Sequence, residues 1–389
     1  MIRFRKTSWM FIVLIGIVSL FADMTYEGAR SITGPFLATL GASATVVGIV
    51  AGLGELLGNA LRLVSGWVAD KTQKYWTITF TGYFINLLAV PLLALAGSWQ
   101  IAAVLMILER TGKAIRKPAR DAMLSNATSS VGHGKGFGVH EALDQVGAVS
   151  GPLIVSVVFF FSKDYHHSFA TLFIPALLAL SVLTVARINF PNTRVLEVPD
   201  QTKKAIASKR FYWFYLIALS LIGAGFADYS LIAYHFDKSG QVMAEWIPVM
   251  YAVAMGVDAL AALLLGKLFD KFGIRILIFS TIISLLFAPL VFQGNLYTAI
   301  AGMICWGVGM GAQESIVSAV LASILPAGKR ATGFGVFYAV FGVAWFLGSA
   351  LMGWLYDISI TRLILFSMTI QLAAIPFFIK LTTLKMKMQ

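Results

Sequence analysis

The chain alternates between apolar runs about one bilayer long and short polar clusters. A membrane-crossing helix needs roughly 20 apolar residues. Runs of that kind recur near 9–38, 45–68, 74–97, 99–119, 134–161, 167–190, 210–236, 243–270, 273–294, 296–323, 330–357 and 361–382. In hydrocarbon each segment must satisfy its own backbone polar groups, which predicts helices. Twelve transmembrane helices are expected. The least apolar long connection, 191–210, is read as a cytoplasmic linker between an N-terminal half at 1–190 and a C-terminal half at 211–389.

The two halves repeat one another. Gly136-Phe137-Gly138-Val139 recurs as Gly333-Phe334-Gly335-Val336, and Gly151 as Gly348. Gly66 with Asp70-Lys71 recurs as Gly266 with Asp270-Lys271, and Phe21-Ala22-Asp23 as Phe226-Ala227-Asp228. The matches keep their order at nearly constant offset, as duplicated six-helix bundles would. Parallel repeats of this sort build transporters whose site lies at the repeat interface near the midplane.

Composition agrees. Of 389 residues, 58% are hydrophobic and 12% charged, against ~25% charged in soluble domains. The formal charge of +12 collects in the tails and loops of one side, including Arg3, Arg5 and Lys6, Lys71 and Lys74, Lys203 and Lys204, Lys329 and Arg330. That is the positive-inside pattern with both termini cytoplasmic, so a nucleic-acid partner is not expected. Cys305 is the lone cysteine, which excludes an internal disulfide and a cysteine-based metal site. The histidines, His133, His140, His166, His167 and His235, form no i, i+4 pair with each other, and no metal or other cofactor is expected. The GxxxxGK[ST] phosphate loop of an ATPase is missing.

The segment GWVADKTQK, Gly66 to Lys74, resembles the helix 2–3 loop signature of the major facilitator superfamily. GKLFDKFGIR is its second copy, with Gly273 where the first has Gln73. In helix 5, Gly138, Gly147 and Gly151-Pro152 are similar to the glycine-rich motif of the superfamily's proton-coupled antiporters. Residues 109–124 and 134–152 resemble a bacterial subgroup, and Arg110 matches the superfamily's helix 4 arginine. The resemblance implies an all-α membrane protein of the bacterial inner membrane, with twelve helices in two pseudo-symmetric halves. It implies a monomer and not an enzyme, moving a small-molecule substrate by alternating access, with protons as coupling partner and export as direction. The alternatives are an anionic metabolite or siderophore-like chelator as substrate, or a transport-inactive receptor or assembly partner.

Ionisable residues deep in a bilayer normally face a bundle interior or aqueous cavity and pair with one another. Asp23, Glu27 and Arg30 share one face of helix 1 by their i, i+4, i+7 spacing. Glu55, Arg110, Lys113, Glu141, Asp144, Asp228, Asp258 and Glu314 complete the expected proton and substrate cavity, with Glu109 set beside Arg110. Asp23, Glu27 and Asp144 are the candidate proton carriers, and Arg30, Arg110 and Lys113 their counter-charges or substrate contacts. Gly66, Asp70, Lys71, Gly138, Gly147, Gly151, Pro152, Asp270 and Lys271 are expected to serve packing and gating. Arg116, Lys117, Arg120 and Asp121 are assigned to the cytoplasmic end of helix 4. Tyr338 and Trp345 on helix 11 are candidate cavity aromatics.

Overall fold

The computed structural model describes residues 2–128, 131–192, 209–324 and 330–386, and the regular elements among them are helical. They are α1 (Ile2–Thr39), α2 (Ala44–Thr72), α3 (Tyr75–Leu92), α4 (Trp99–Thr128), α5 (His133–Ser162), α6 (Tyr165–Thr171), α7 (Phe173–Asn189) and α8 (Lys209–Gly225). There follow α9 (Tyr229–Ser239), α10 (Ile247–Phe272), α11 (Arg275–Ser284), α12 (Phe287–Phe292), α13 (Leu296–Ile324), α14 (Arg330–Ile358) and α15 (Ile360–Met386). The pairs α6/α7, α8/α9 and α11/α12 are single crossings interrupted midway, so the described helices make twelve crossings, six from each half. Ten of these segments are individually long and apolar enough to cross a membrane. Helices α4 and α13 are not among them; in α4 seven ionisable side chains fall between Glu109 and Asp121.

The interruptions correct the expectation of unbroken rods. Pro175 and Pro289 sit in the first turns of α7 and α12, where a missing N–H is tolerated but cannot continue the preceding helix. The α8/α9 break has no proline. It falls on Phe226-Ala227-Asp228, where the Asp228 carboxylate accepts from Ser230 N at 3.1 Å and so caps α9. Side chains bind the freed carbonyls: Trp306 Nε1 donates to Ala227 O at 2.9 Å, and Ser367 Oγ to Gly225 O at 2.6 Å. Each buried carbonyl thus keeps a donor, as hydrocarbon demands.

The chain forms two compact units. One comprises Met1–Ile32 and Leu57–Gln201, the other Thr33–Leu56 and Thr202–Gln389. The segment Thr33–Leu56, which the sequence reading gave to the N-terminal half, thus clusters with the second unit. Residues 193–208 of the linker at 191–210 lie outside the described residues.

In the first unit α5 lies against α1. A Cβ on Gly147 would overlap the Leu20 carbonyl oxygen, and one on Gly151 that of Met24. In the second unit Gly348 of α14 meets the Ala224 carbonyl of α8 in the same way. A Cβ on Gly138 would meet nothing within 4 Å, and one on Gly66 would make only ordinary contact with Pro118 at 3.5 Å, so neither is required by close approach. Pro152 lies inside α5. Asp70 and Lys71 are exposed at the end of α2, as is Lys271 at the end of α10, while the Asp270 side chain lies outside the described residues. After α2 the chain turns on Gln73 at φ 58°, whose Nε2 donates to Asp70 O. The matching turn after α10 uses Gly273 at φ 62°, ψ −144°.

Candidate functional site

Helix α4 was expected to end near 119 and instead runs to Thr128. Arg116 and Arg120 therefore do not lie at a cytoplasmic end in water. They are 1% and 7% exposed. This corrects their assignment to topology, and the reason is visible in the spacing. Residues 109, 113, 116 and 120 keep the helical i, i+3, i+4 rhythm without a breaker, and a proline at 118 bends a helix more readily than it ends one.

The buried charged groups of the first unit gather on α1, α4 and α5. Tyr26 donates its hydroxyl to Asp23 Oδ1. Lys113 Nζ lies 3.6 Å from Glu27 Oε1 and 3.8 Å from the centre of the Tyr26 ring. Arg30 approaches Glu27 Oε2 at 4.0 Å. One turn along α4, Arg110 Nε pairs with Glu109 Oε2 at 3.3 Å, and Asn86 of α3 donates to Glu109 Oε1 at 2.8 Å. The Arg116 guanidinium stacks 4.2 Å from the Tyr83 ring and 5.7 Å from that of Tyr26. Its Nε has no hydrogen-bond acceptor among the described residues.

A second strand of the network passes through Ser19. Arg120 donates to Ser19 Oγ at 2.9 Å and pairs with Asp121 at 2.9 Å. The Ser19 hydroxyl also bonds His140 Nε2 at 3.1 Å, and His140 Nδ1 lies 3.7 Å from Asp144 Oδ2. Asp144, Lys113 and Arg116 are all within electrostatic reach of Asp23. Charges removed from water interact far more strongly than exposed ones. Moving one of these groups therefore changes the proton affinity of its neighbours.

His140, Glu141 and Asp144 bring three ligand-type atoms within 4.8 Å of one another. His140 and Asp144 stand at i, i+4, a pairing that is missed when histidines are matched only with one another. Composition suits a metal, but His140 is engaged by Ser19, and Ser19 carries the Arg120 guanidinium. A fixed positive charge so placed opposes a divalent cation.

The structure thus brings Asp23, Glu27, Arg30, Arg110, Lys113 and Asp144 together, with Glu141 exposed at the margin beside Gln145. The other expected cavity residues belong to the second unit. There Asp228 caps a helix, Asp258 is buried on α10, Glu314 is exposed on α13, and Glu55 is half-buried on α2. Trp345 is buried against Phe226 and Phe341 with ring centres 5.7 Å from each, and Tyr338 packs edge-on to Phe337. Ser19, Tyr26, Tyr83, Asn86 and His140 escaped the sequence reading. Ser19 and Tyr26 carried a signal, since they fall on the Asp23 face at i−4 and i+3; Tyr83 and Asn86 carried none.

A family model described as the Major Facilitator Superfamily matches residues 12–241 and 229–385. The Mycobacterium tuberculosis protein Rv2265 is 40% identical over 377 residues, covering 95% of this chain and 92% of its own length. The MFS-type transporter MJ1317 of Methanocaldococcus jannaschii is 29% identical over 366 residues, covering 90% of this chain and 89% of its own length. A crystal structure of the peptide transporter POT in complex with sulfate superposes with a TM-score of 0.77 at 15% identity. It covers 97% of this chain and 94% of the other, which shows a shared fold. With its twelve crossings in two six-helix halves, the chain belongs to the Major Facilitator Superfamily and is a secondary transporter of the membrane.

Proposed function

We propose that this transporter couples the movement of a small organic compound to protons by alternating access, and that it exports that compound. One observation carries the coupling: Asp23 is buried, held by the Tyr26 hydroxyl, and surrounded by Asp144, Lys113 and Arg116 on neighbouring helices. An ionised carboxylate is costly in such a place unless cations compensate it. Proton exchange at Asp23 is thereby tied to the positions of Lys113 and Arg116 as the helices move. Substrate and proton each bias the conformational equilibrium by their differential affinity for its two states. Export is supported by α5, where Gly147 and Gly151 press against α1 in the pattern similar to that of proton-coupled antiporters. The working unit is a monomer in a bacterial cytoplasmic membrane, with both termini on the cytoplasmic side.

A second reading, an anionic metabolite or chelator as substrate, is supported by the spare donor at Arg116 Nε. Proteoliposomes test both. An imposed pH gradient drives flux of at least one member of a diverse compound library, and Asp23→Asn abolishes it. No gradient-driven flux of any compound, with Asp23→Asn indistinguishable from the unmodified chain, overturns proton coupling. If the transported compound is an anion, neutralising Arg110, Lys113 or Arg116 singly removes its binding; binding that survives all three rejects the second reading.

A further inference from the structure

In the second unit, the start of α2 is held by a residue more than three hundred positions away. The Asp357 carboxylate, next to last in α14, accepts from Ala44 N at 3.2 Å, from Thr45 N at 2.9 Å and from Thr45 Oγ1 at 2.5 Å. The first N–H groups of a helix have no partner within it. They also form the positive end of its dipole, which favours a carboxylate. Such caps ordinarily come from the residue just before the helix. Here Ser43 caps Val46 N at 3.3 Å, and Asp357 supplies the rest from another helix.

The surroundings form a seam of the same kind. A Cβ on Gly48 of α2 would overlap the Ser349 carbonyl oxygen, and one on Gly34 of α1 the Ser230 carbonyl oxygen of α9. Thr33 Oγ1 lies 3.1 Å from Ser230 Oγ, and His235 Nδ1 3.0 Å from the Tyr356 hydroxyl. The contacts of Gly34, Thr33 and Gly48 join the end of α1 and the start of α2 to α9 and α14, and His235 with Tyr356 ties α9 to α14, on the side away from the basic loops. At Gly34 and Gly48 backbone meets backbone across the line. The seam can part without repacking, and the Asp357 interaction, which dies away beyond the first turn of a helix, is either made or lost.

We propose that Asp357 is the latch of an outer gate: its carboxylate holds the N-terminus of α2 while the seam is shut and lets go when transport opens that side. The proposal rests on the alternating-access reading, since a protein that never opened outward would need no releasable cap.

The test uses the full chain with Cys305→Ser as background, reconstituted and probed from outside with a membrane-impermeant maleimide. The reporter is Ser349→Cys, at a position 1% exposed in the closed seam. The control is Ser168→Cys on α6, buried within the first unit. With Asp357→Ala, labelling at position 349 accelerates about tenfold and at 168 does not change. Asp357→Asn, which keeps an acceptor but no charge, falls between. Thr45→Val removes only the hydroxyl bond and gives a rise of about threefold, which serves should Asp357→Ala fold poorly. Unchanged labelling at 349, or an equal rise at 168, overturns the latch. The labelling requires no substrate, so it reads the latch whether or not proton-driven flux is found.

Discussion

Two helices that repeat one another in sequence carry opposite chemistry. Helix α5 of the first unit and α14 of the second share Gly-Phe-Gly-Val and a later glycine, and that glycine has one job in both, pressing its helix onto a backbone carbonyl. Between the shared landmarks, α5 has His140, Glu141 and Asp144, whereas α14 has Phe337, Tyr338 and Phe341 at the equivalent steps. The first set joins a network of serine, arginine and carboxylate. The second stacks: Phe337 lies 6.0 Å from Tyr215 and 5.9 Å from Phe341. Phe-Ala-Asp diverges likewise. In α1 the helix runs straight through Asp23, while in α8/α9 it breaks and Asp228 becomes a cap. Duplication preserved what backbone packing needs, and the polar chemistry concentrated in one copy.

The sharpest way to break this comparison is to neutralise the paired aspartates. Asp23→Asn brings proton-driven flux down to that of empty liposomes. Asp228→Ala lowers thermal stability by about 1 kcal/mol, the value of an N-cap, and leaves the dependence on the pH gradient intact. Loss of that dependence in the Asp228 variant removes the division of labour between the halves.

Next come the glycines. Gly151→Ala and Gly348→Ala each drive a methyl group into a carbonyl oxygen and cost about 3 kcal/mol, the upper range for overpacking. Equal falls in melting temperature in detergent support the common role, and a large inequality refutes it. A smaller effect is expected at the break that only the second unit has. Trp306→Phe keeps an aromatic side chain but removes the donor to Ala227 O, and costs about 2 kcal/mol for an orphaned buried acceptor. The smallest effect lies in the paired turns. Gln73→Gly relieves a left-handed residue and gains about 1 kcal/mol, read as a rise in melting temperature. Gly273→Gln loses more than that, because its φ, ψ pair is close to a region only glycine enters readily.

Much of this was legible in the residues. Long apolar runs marked the crossings, the repeated motifs marked the halves, and the i, i+4, i+7 spacing put Asp23, Glu27 and Arg30 on one face. The breaks in the second half were less legible, since Phe-Ala-Asp is helix in one place and a turn in another. Arg116 and Arg120 were misjudged because a run of charges reads as water-exposed until neighbouring helices are known to cover it. Tyr83 and Asn86 looked like ordinary membrane residues, and nothing near Asp357 pointed to Ala44.

By itself, the order of residues determined what local physics settles: helices, because hydrocarbon forces each segment to satisfy its own backbone, and shared faces, because helical period places i, i+4 and i+7 together. Only the tertiary structure decided which charges meet. Those partners come from segments far apart in the chain, and their pairing depends on where close-packed glycines bring helices together rather than on any nearby pattern.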